Sequence, residues 1–356
     1  MAALAFPSLA KKVTLSDGTT YSYISVAPSS HSSATFLLLH GYPSSCYDWR
    51  HQIHSLSSLG YGVLAPDLLG YGESSKPADP ASYRLKRMAL HMAELLDTEN
   101  VFRCVAVGHD WGCGLLSRLI TWIPDRLLGA VFVSVGYIEP AMKWDIKAIN
   151  EQTESMFGYS TNGYWPWHNT EEAIKDCNEN PASVFTLIYA AEAALWRKSL
   201  GPVGAAANFV KSGTIEKLPS WYGLDEYTLR DRILSIGGYQ GPLNWYKAAM
   251  RGVNDEDEAG LTDSDKKCGL PVLLAVSDED YVTRADLQIP ATQKWVSDLT
   301  IKNFSRCGHW IQLERPEELN GMLVDFVELV TGQDSSLVGS GITQGLEAYT
   351  LEEAGM

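Results

Sequence analysis

The sequence predicts an α/β protein built on a doubly wound, mostly parallel sheet, with a helical segment inserted before the last strands. Three observations carry this. Short, continuous apolar runs bounded by turn residues recur along the chain, as buried parallel strands require. Segments with helical spacing alternate with them. The alternation stops after Tyr137 and resumes at Pro271. At 356 residues and 45% hydrophobic content, the chain can form one large α/β domain or a core plus a second domain.

The elements follow in order. VTLSDGTTYSYISV (13–26) reads as strand, Asp17-Gly18 turn and strand, a hairpin. TFLLLH (35–40) reads as a buried parallel strand, as does GYGVLAPD (60–67), which leads into a glycine-rich turn. YRLKRMALHMAELLDT (83–98) has helical periodicity, VFRCVAVGH (101–109) is a strand followed by a helix, and GAVFVSV (129–135) is the next strand. Residues 140 to about 262 are rich in Trp, Tyr and Gly. They carry amphipathic helical stretches such as EEAIKDCNEN and PASVFTLIYAAEAALWRK, and no clear buried strand. PVLLAVS (271–277), LTIKNFS (299–305) and the helix RPEELNGMLVDFVELV (315–330) complete the pattern. The expected organisation is a first core part at 1–139, a helical cap at 140–262, a second core part at 263–331 and a C-terminal tail at 332–356. The tail is acidic and contains glycine, and reads as either a frayed end or a surface strap.

Charge and composition exclude several function classes. Lys and Arg total 28 against 43 Asp and Glu, a net charge of −15, which argues against nucleic acid or an anionic membrane as partner. No apolar stretch is long enough to span a bilayer. The N-terminus MAALAFPSLAKK lacks the regions of a signal peptide, and the final AGM matches no retention or peroxisomal signal. Six scattered cysteines without metal-ligand spacing read as reduced thiols. The expectation is a soluble, cytoplasmic protein.

The chemistry centres on GHDWGCG (108–114), which has the G-x-Nu-x-G layout of a nucleophile elbow between strand and helix, with Asp110 where Ser is usual. A carboxylate attacking an acyl carbonyl would give an anhydride. Against an sp3 carbon with a leaving group it works well, displacing a halide or opening an epoxide to leave an alkyl ester on the protein. A His–acid pair can then hydrolyse that ester with help from an oxyanion hole. Asp110 as a mere helix cap would leave the flanking glycines unexplained. His40-Gly41-Tyr42-Pro43 follows an early strand, so the backbone N–H groups of Tyr42 and Trp111 are the oxyanion candidates. Asp67, Gly70 and Gly72 read as a sharp turn beside the site. His309 lies between the last strand and helix, where the base should be. His109 should point away from the nucleophile, and His51, His54, His91 and His168 read as solvated or packed. For the orienting acid, Asp280 in SDEDYV ranks first, Asp278 second and Glu139 third.

From about residue 33 to 330 the chain resembles the soluble epoxide hydrolase family of the α/β-hydrolase fold. The stretches that carry the resemblance are HGYPSSCYDWRHQI, GYGVLAPDLLGYGESSKP, VGHDWG, GPLNWYKAAM, SDEDYV and CGHWIQLERPEELN. It implies an α/β-hydrolase core with an inserted helical cap, and hydrolysis of an apolar or aromatic epoxide to a vicinal diol through an ester on Asp110. Water is activated by His309 and Asp280, and no metal or organic cofactor is required. The implied partners are a small-molecule epoxide and water. In that family two cap tyrosines hold the epoxide oxygen. The resemblance points to Tyr246 in GPLNWYK and to Tyr164 in GYWPWHN, with Tyr159 the runner-up. His168-Asn169 replaces the family's usual Phe-Gln pair. The cap aromatics, among them Trp165, Trp167, Trp196, Trp221 and Trp245, imply an apolar pocket, with Trp111, Trp165 and Trp245 as substrate-binding candidates. No counterpart of the phosphatase domain of mammalian relatives is expected, since the pattern starts near Lys12. Two readings compete: a haloalkane or haloacid dehalogenase with the same Asp nucleophile, in which the Trp111 N–H would hold halide, and a non-catalytic ligand-binding hydrolase fold. A leaving halide needs no proton, whereas an epoxide oxygen gains from one, so the tyrosine pair favours the epoxide.

Overall fold

Each apolar run becomes a strand of one eight-stranded sheet. The computed structural model describes residues 2–30 and 33–333, so the expected tail lies outside the described residues from position 334 onward. The strands are β1 (Ala10–Thr14), β2 (Thr20–Val26), β3 (Thr35–Leu39), β4 (Gly62–Pro66), β5 (Cys104–His109), β6 (Leu127–Val133), β7 (Val272–Ser277) and β8 (Leu299–Phe304). Their order across the sheet is β1-β2-β4-β3-β5-β6-β7-β8. The β1–β2 hairpin is antiparallel and joins antiparallel to β4, while every pairing from β4 through β8 is parallel.

The central strands are buried on both faces, which is why they read as unbroken apolar runs rather than alternating ones. Strand period two sends Leu37, Leu39, Ala106 and Phe132 into one core, and Phe36, Leu38, Val105, Val107 and Val131 into the other. The helices Arg50–Ser58 and Pro316–Gln333 cover the second face with Ile53, Leu56, Leu319, Leu323 and Val327. The helices Leu85–Thr98 and Trp111–Trp122 cover the first. With β5 flanked by β3 and β6, its carboxyl end opens at the middle of the sheet edge, where doubly wound folds bind ligands.

Between β6 and β7 the chain forms no strand of the sheet but a series of helices, including Ile146–Phe157, Glu171–Glu179, Pro181–Ile188, Ala205–Lys211, Leu224–Ser235 and Gln240–Met250, before Cys268 makes a single bridge to Val296. PASVFTLIYAAEAALWRK is not one helix: it breaks after Ile188, passes a short 3-10 turn at Ala193–Leu195 and restarts as Trp196–Ser199. Tertiary bonds end it. The Trp310 indole donates to the Ile188 carbonyl (3.0 Å), and the Tyr189 hydroxyl reaches the Pro43 carbonyl (3.0 Å) of the core. Among the described residues no helix is long and apolar enough to cross a membrane, and all six cysteines are buried and free.

One buried ion pair fastens both ends of this helical segment to the core. Arg118, on the helix after β5, donates to both oxygens of Glu258 (2.8 and 3.0 Å) and to the Ile138 carbonyl (2.8 Å), while the Ala141 N–H also donates to Glu258. The departing strand exit and the returning segment thus share one carboxylate. Breaking such a pair leaves an unpaired buried charge, which costs about 3–5 kcal/mol. Arg118→Met and Glu258→Gln should each lower the unfolding free energy from urea titration by that order, and the double variant should recover a substantial part. Additive losses in a double-mutant cycle would show that the two groups act independently.

Candidate active site

Asp110 ends β5 with φ +52° and ψ −121°, a conformation that costs a non-glycine residue on the order of 1–3 kcal/mol. The neighbouring backbone dictates it. A Cβ on Gly112 would sit 2.1 Å from the Leu39 carbonyl oxygen, so the elbow can press against β3 only with glycine there. A Cβ on Gly41 would sit 2.4 Å from the Asp110 side chain. Bare backbone on both sides lets the carboxylate rise beside the loop after β3, where its Oδ1 accepts the Tyr42 N–H at 2.7 Å. Trp111 is the first residue of the following helix, so its N–H has no intrahelical acceptor.

The Tyr42 loop is itself gripped. The Pro43 carbonyl accepts from the Tyr189 hydroxyl and from Arg230 Nη2, both at 3.0 Å. His40 donates from Nδ1 to the Gly41 carbonyl (2.9 Å) and accepts the Leu68 N–H at Nε2 (3.0 Å). Burial disfavours its charged form, in keeping with this tautomer.

His309 stands between two carboxylates, with Nε2 3.6 Å from Asp110 Oδ2 and Nδ1 donating to Asp280 Oδ2 at 2.7 Å. Asp280 is locked by the Val282 and Thr283 N–H groups (3.0 and 2.9 Å) and by the Thr283 hydroxyl (2.5 Å). The other two acid candidates lie elsewhere: Asp278 is exposed, and Glu139 pairs with Lys294 at 3.3 Å. The His309 carbonyl accepts from Ser134 Oγ (2.6 Å) and from His109 Nε2 (3.0 Å). The Glu314 carboxylate accepts the Gly308 and Trp310 N–H groups on either side (2.8 and 3.0 Å). His109 is therefore a buried, neutral anchor, its pKa pushed down to about 3 by burial.

Burial opposes charge on all three groups, yet the ion contacts win. The His309 imidazolium and its hydrogen bonds hold both Asp110 and Asp280 below the usual carboxylate range. The same carboxylates push His309 up to about 10 against the effect of its burial.

A cavity of about 450 Å³ runs away from Asp110, walled by Trp111, Trp144, Tyr164, Trp165 and Tyr246. The Tyr164 and Tyr246 rings lie 5.8 Å apart, and burial holds both phenols well above their ordinary pKa, so they remain proton donors. Tyr159 instead donates to the Tyr281 carbonyl (3.0 Å), off this wall. Trp165 packs at a tilt between Trp144 (4.7 Å) and Trp111 (5.5 Å). Trp245, expected to bind substrate, is behind the wall: its indole donates to the Leu69 carbonyl (2.9 Å) and its ring backs Trp111 at 6.1 Å. It supports a lining residue rather than lining the cavity. His168 packs against Tyr246 and Tyr164 (4.6 and 5.1 Å) and is kept neutral by burial. Sequence reasoning missed Ser134, Glu314, Tyr189 and Arg230. Ser134, Tyr189 and Arg230 act on backbone carbonyls distant in the chain, which no local motif signals, and Glu314 acts on amides four and six residues before it.

Comparison with known proteins bears on the fold and the family. A family model for the alpha/beta hydrolase fold matches residues 34–151. The chain is 30% identical over 305 residues to epoxide hydrolase A of Mycobacterium tuberculosis, covering 82% of this chain and 89% of that protein. It is 26% identical over 298 residues to bifunctional epoxide hydrolase 2 of Mus musculus, covering 83% of this chain but only 52% of the mouse protein, so it spans about half that relative's length. The crystal structure of epoxide hydrolase A from Mycobacterium thermoresistibile superposes with a TM-score of 0.75 at 26% identity, covering 90% of this chain and 98% of that one.

The ion triad has a pH signature. A raised His309 pKa contributes stability that is fully present below the unfolded value of about 6.5 and is lost as pH rises through about 10. NMR of the imidazole should show His309 protonated at neutral pH and titrating near about 10. Asp280→Asn should lower that pKa by removing the nearer charge. A His309 that titrates at its ordinary value in the wild type would contradict the pairing.

Proposed function

The chain belongs to the epoxide hydrolase family of the α/β-hydrolase fold, and from that premise we propose that it converts an apolar or aromatic epoxide to a vicinal diol through a covalent ester on Asp110. The observation that carries this reading is the pairing, in one aromatic cavity, of a carboxylate nucleophile with two buried phenols that stay protonated. A carboxylate alone would serve halide displacement equally well. Phenol donors are of use where an alkoxide forms.

The steps balance as follows. Asp110 attacks an oxirane carbon, and the C–O bond breaks toward Tyr164 and Tyr246, one of which gives its proton to the alkoxide. Asp110 Oδ1 already accepts the Tyr42 N–H, so it becomes the ester carbonyl oxygen within its oxyanion site. Esterification removes one of the two charges holding the His309 proton. The imidazolium then reprotonates the tyrosinate through the cavity and becomes a neutral base. His309, oriented by Asp280, takes a proton from water as it attacks the ester carbon. Tyr42 N–H, joined by Trp111 N–H, stabilises the tetrahedral oxyanion. Collapse breaks the ester C–O bond to the substrate, and the leaving alkoxide takes the proton of the hydroxyl that water added, which releases the diol and leaves the Asp110 carboxylate beside the His309 imidazolium formed in the attack.

Asp110→Ala should abolish diol formation with little loss of stability, because the side chain faces the cavity. His309→Gln should still be alkylated, and mass spectrometry should find the substrate mass on the peptide containing Asp110. An unmodified peptide after incubation with an accepted epoxide would assign His309 a different role. Tyr246→Phe and Tyr164→Phe should each slow alkylation on the order of 10²–10³, by analogy with loss of an oxyanion donor. Tyr159→Phe should stay near wild type. Efficient halide release from a haloalkane, with no diol from any epoxide tried, would make the protein a dehalogenase instead.

A further inference from the structure

The space around Asp110 has two very unequal ends. On one side the cavity of about 450 Å³ continues past Trp144, Ile149 and Leu287 to Trp295 and the exposed Lys294 at the surface. On the other side, beside His309, there is a chamber of only about 20 Å³, walled by Ile188, Trp196 and Leu200. Asp110, Tyr164, Tyr246 and Val282 border both, so they form the neck between them. An epoxide seated at this neck has one carbon facing the long arm and the other facing the chamber.

The chamber walls are anchored. The Trp196 indole donates to the Leu187 carbonyl (2.8 Å) and its ring lies 5.1 Å from the His309 ring. Ile188 is held through its carbonyl by Trp310 (3.0 Å), and Leu200 is buried with its N–H on the Trp196 carbonyl (3.3 Å). The volume suits a single water or a methyl group, since one water needs roughly 10–15 Å³ of this kind of space. A substituent larger than methyl there would clash with these anchored walls.

We propose, on the basis of the epoxide activity above, that the substrate class is the lopsided epoxide: one large apolar or aryl substituent directed into the long arm, and hydrogen or at most methyl on the other carbon. Ile188, Trp196 and Leu200 determine this specificity by closing the short side. Mid-chain epoxides with bulk on both carbons are excluded, although they share the oxirane and the overall hydrophobicity of accepted substrates.

The test is an isomeric series on the wild-type protein: the epoxides of oct-1-ene, trans-oct-2-ene, trans-oct-3-ene and trans-oct-4-ene, scored by kcat/KM for diol formation. The first two should be accepted, and the value should drop about 10-fold or more at the ethyl group and again at the propyl group. Leu200→Ala and Ile188→Ala should raise turnover of the last two isomers while that of the oct-1-ene epoxide changes by no more than a few fold, which also reports an intact fold. A flat series in the wild type would overturn the proposal. So would an unchanged ratio in variants that still process the oct-1-ene epoxide. Absence of Asp110 alkylation by all four isomers, and by aryl epoxides, is a different result: it would remove the epoxide activity itself and this proposal with it.

Discussion

The left-handed backbone of Asp110 at the end of the central strand is the constraint on which the rest of the site depends. It turns the chain from strand to helix in one residue and lifts a carboxylate above the sheet edge. The turn is held by its surroundings. β5 is paired along its length with β3 on one side and β6 on the other, and the helix after the elbow packs against Leu39 through a glycine. Local strain of about 1–3 kcal/mol persists because relaxing it would separate strand, helix and the Tyr42 loop together.

Around that carboxylate the charges form a closed set. Two carboxylates share one imidazolium, and the next histidines outward, His109 and His168, are held neutral by burial. The remaining wall is aromatic. In such surroundings the Asp110 charge is poorly solvated and depends on its two specific contacts, with His309 and the Tyr42 N–H. Converting it to a neutral ester therefore changes the field at His309 more than the same change would in water. The coupling between Asp110 and His309 is electrostatic as well as positional.

The helical segment over the core works as a clamp as much as a roof. Tyr189 and Arg230 hold the Pro43 carbonyl, Trp245 donates to Leu69, and the Trp310 indole of the core takes the Ile188 carbonyl. Every one of these contacts joins the segment to a loop at the carboxyl ends of the strands. The residues that delimit the small chamber, such as Trp196 and Ile188, are thereby tied to the same loops that carry Asp110, Tyr42 and His309. Cavity shape and catalytic geometry cannot vary independently.

Much of this was legible in the chain because it is local. A strand buried on both faces must be continuously apolar, so β3, β5, β6 and β7 stood out from their composition. An elbow needs glycine two residues after its nucleophile, so GHDWGCG identified both the turn and Asp110. The loop positions of His309 and Asp280 followed from strand order. Other features depended on contacts between residues far apart in sequence. Nothing in PASVFTLIYAAEAALWRK reveals that the helix stops at Ile188, because a tryptophan more than a hundred residues later takes its carbonyl. Trp245 and Trp165 are equally aromatic as letters, and only packing puts one behind Trp111 and the other on the cavity wall. The same holds for Tyr159 and Tyr164, equally buried, of which one is hydrogen-bonded to the Tyr281 carbonyl and the other lines the cavity. The sequence by itself determined which chemical groups were present and on which kind of element each stood, since those properties follow from neighbours along the chain. Only the tertiary structure decided which groups share a cavity and how much room lies on either side of Asp110, because those depend on side chains that meet only once the sheet and its cap have closed.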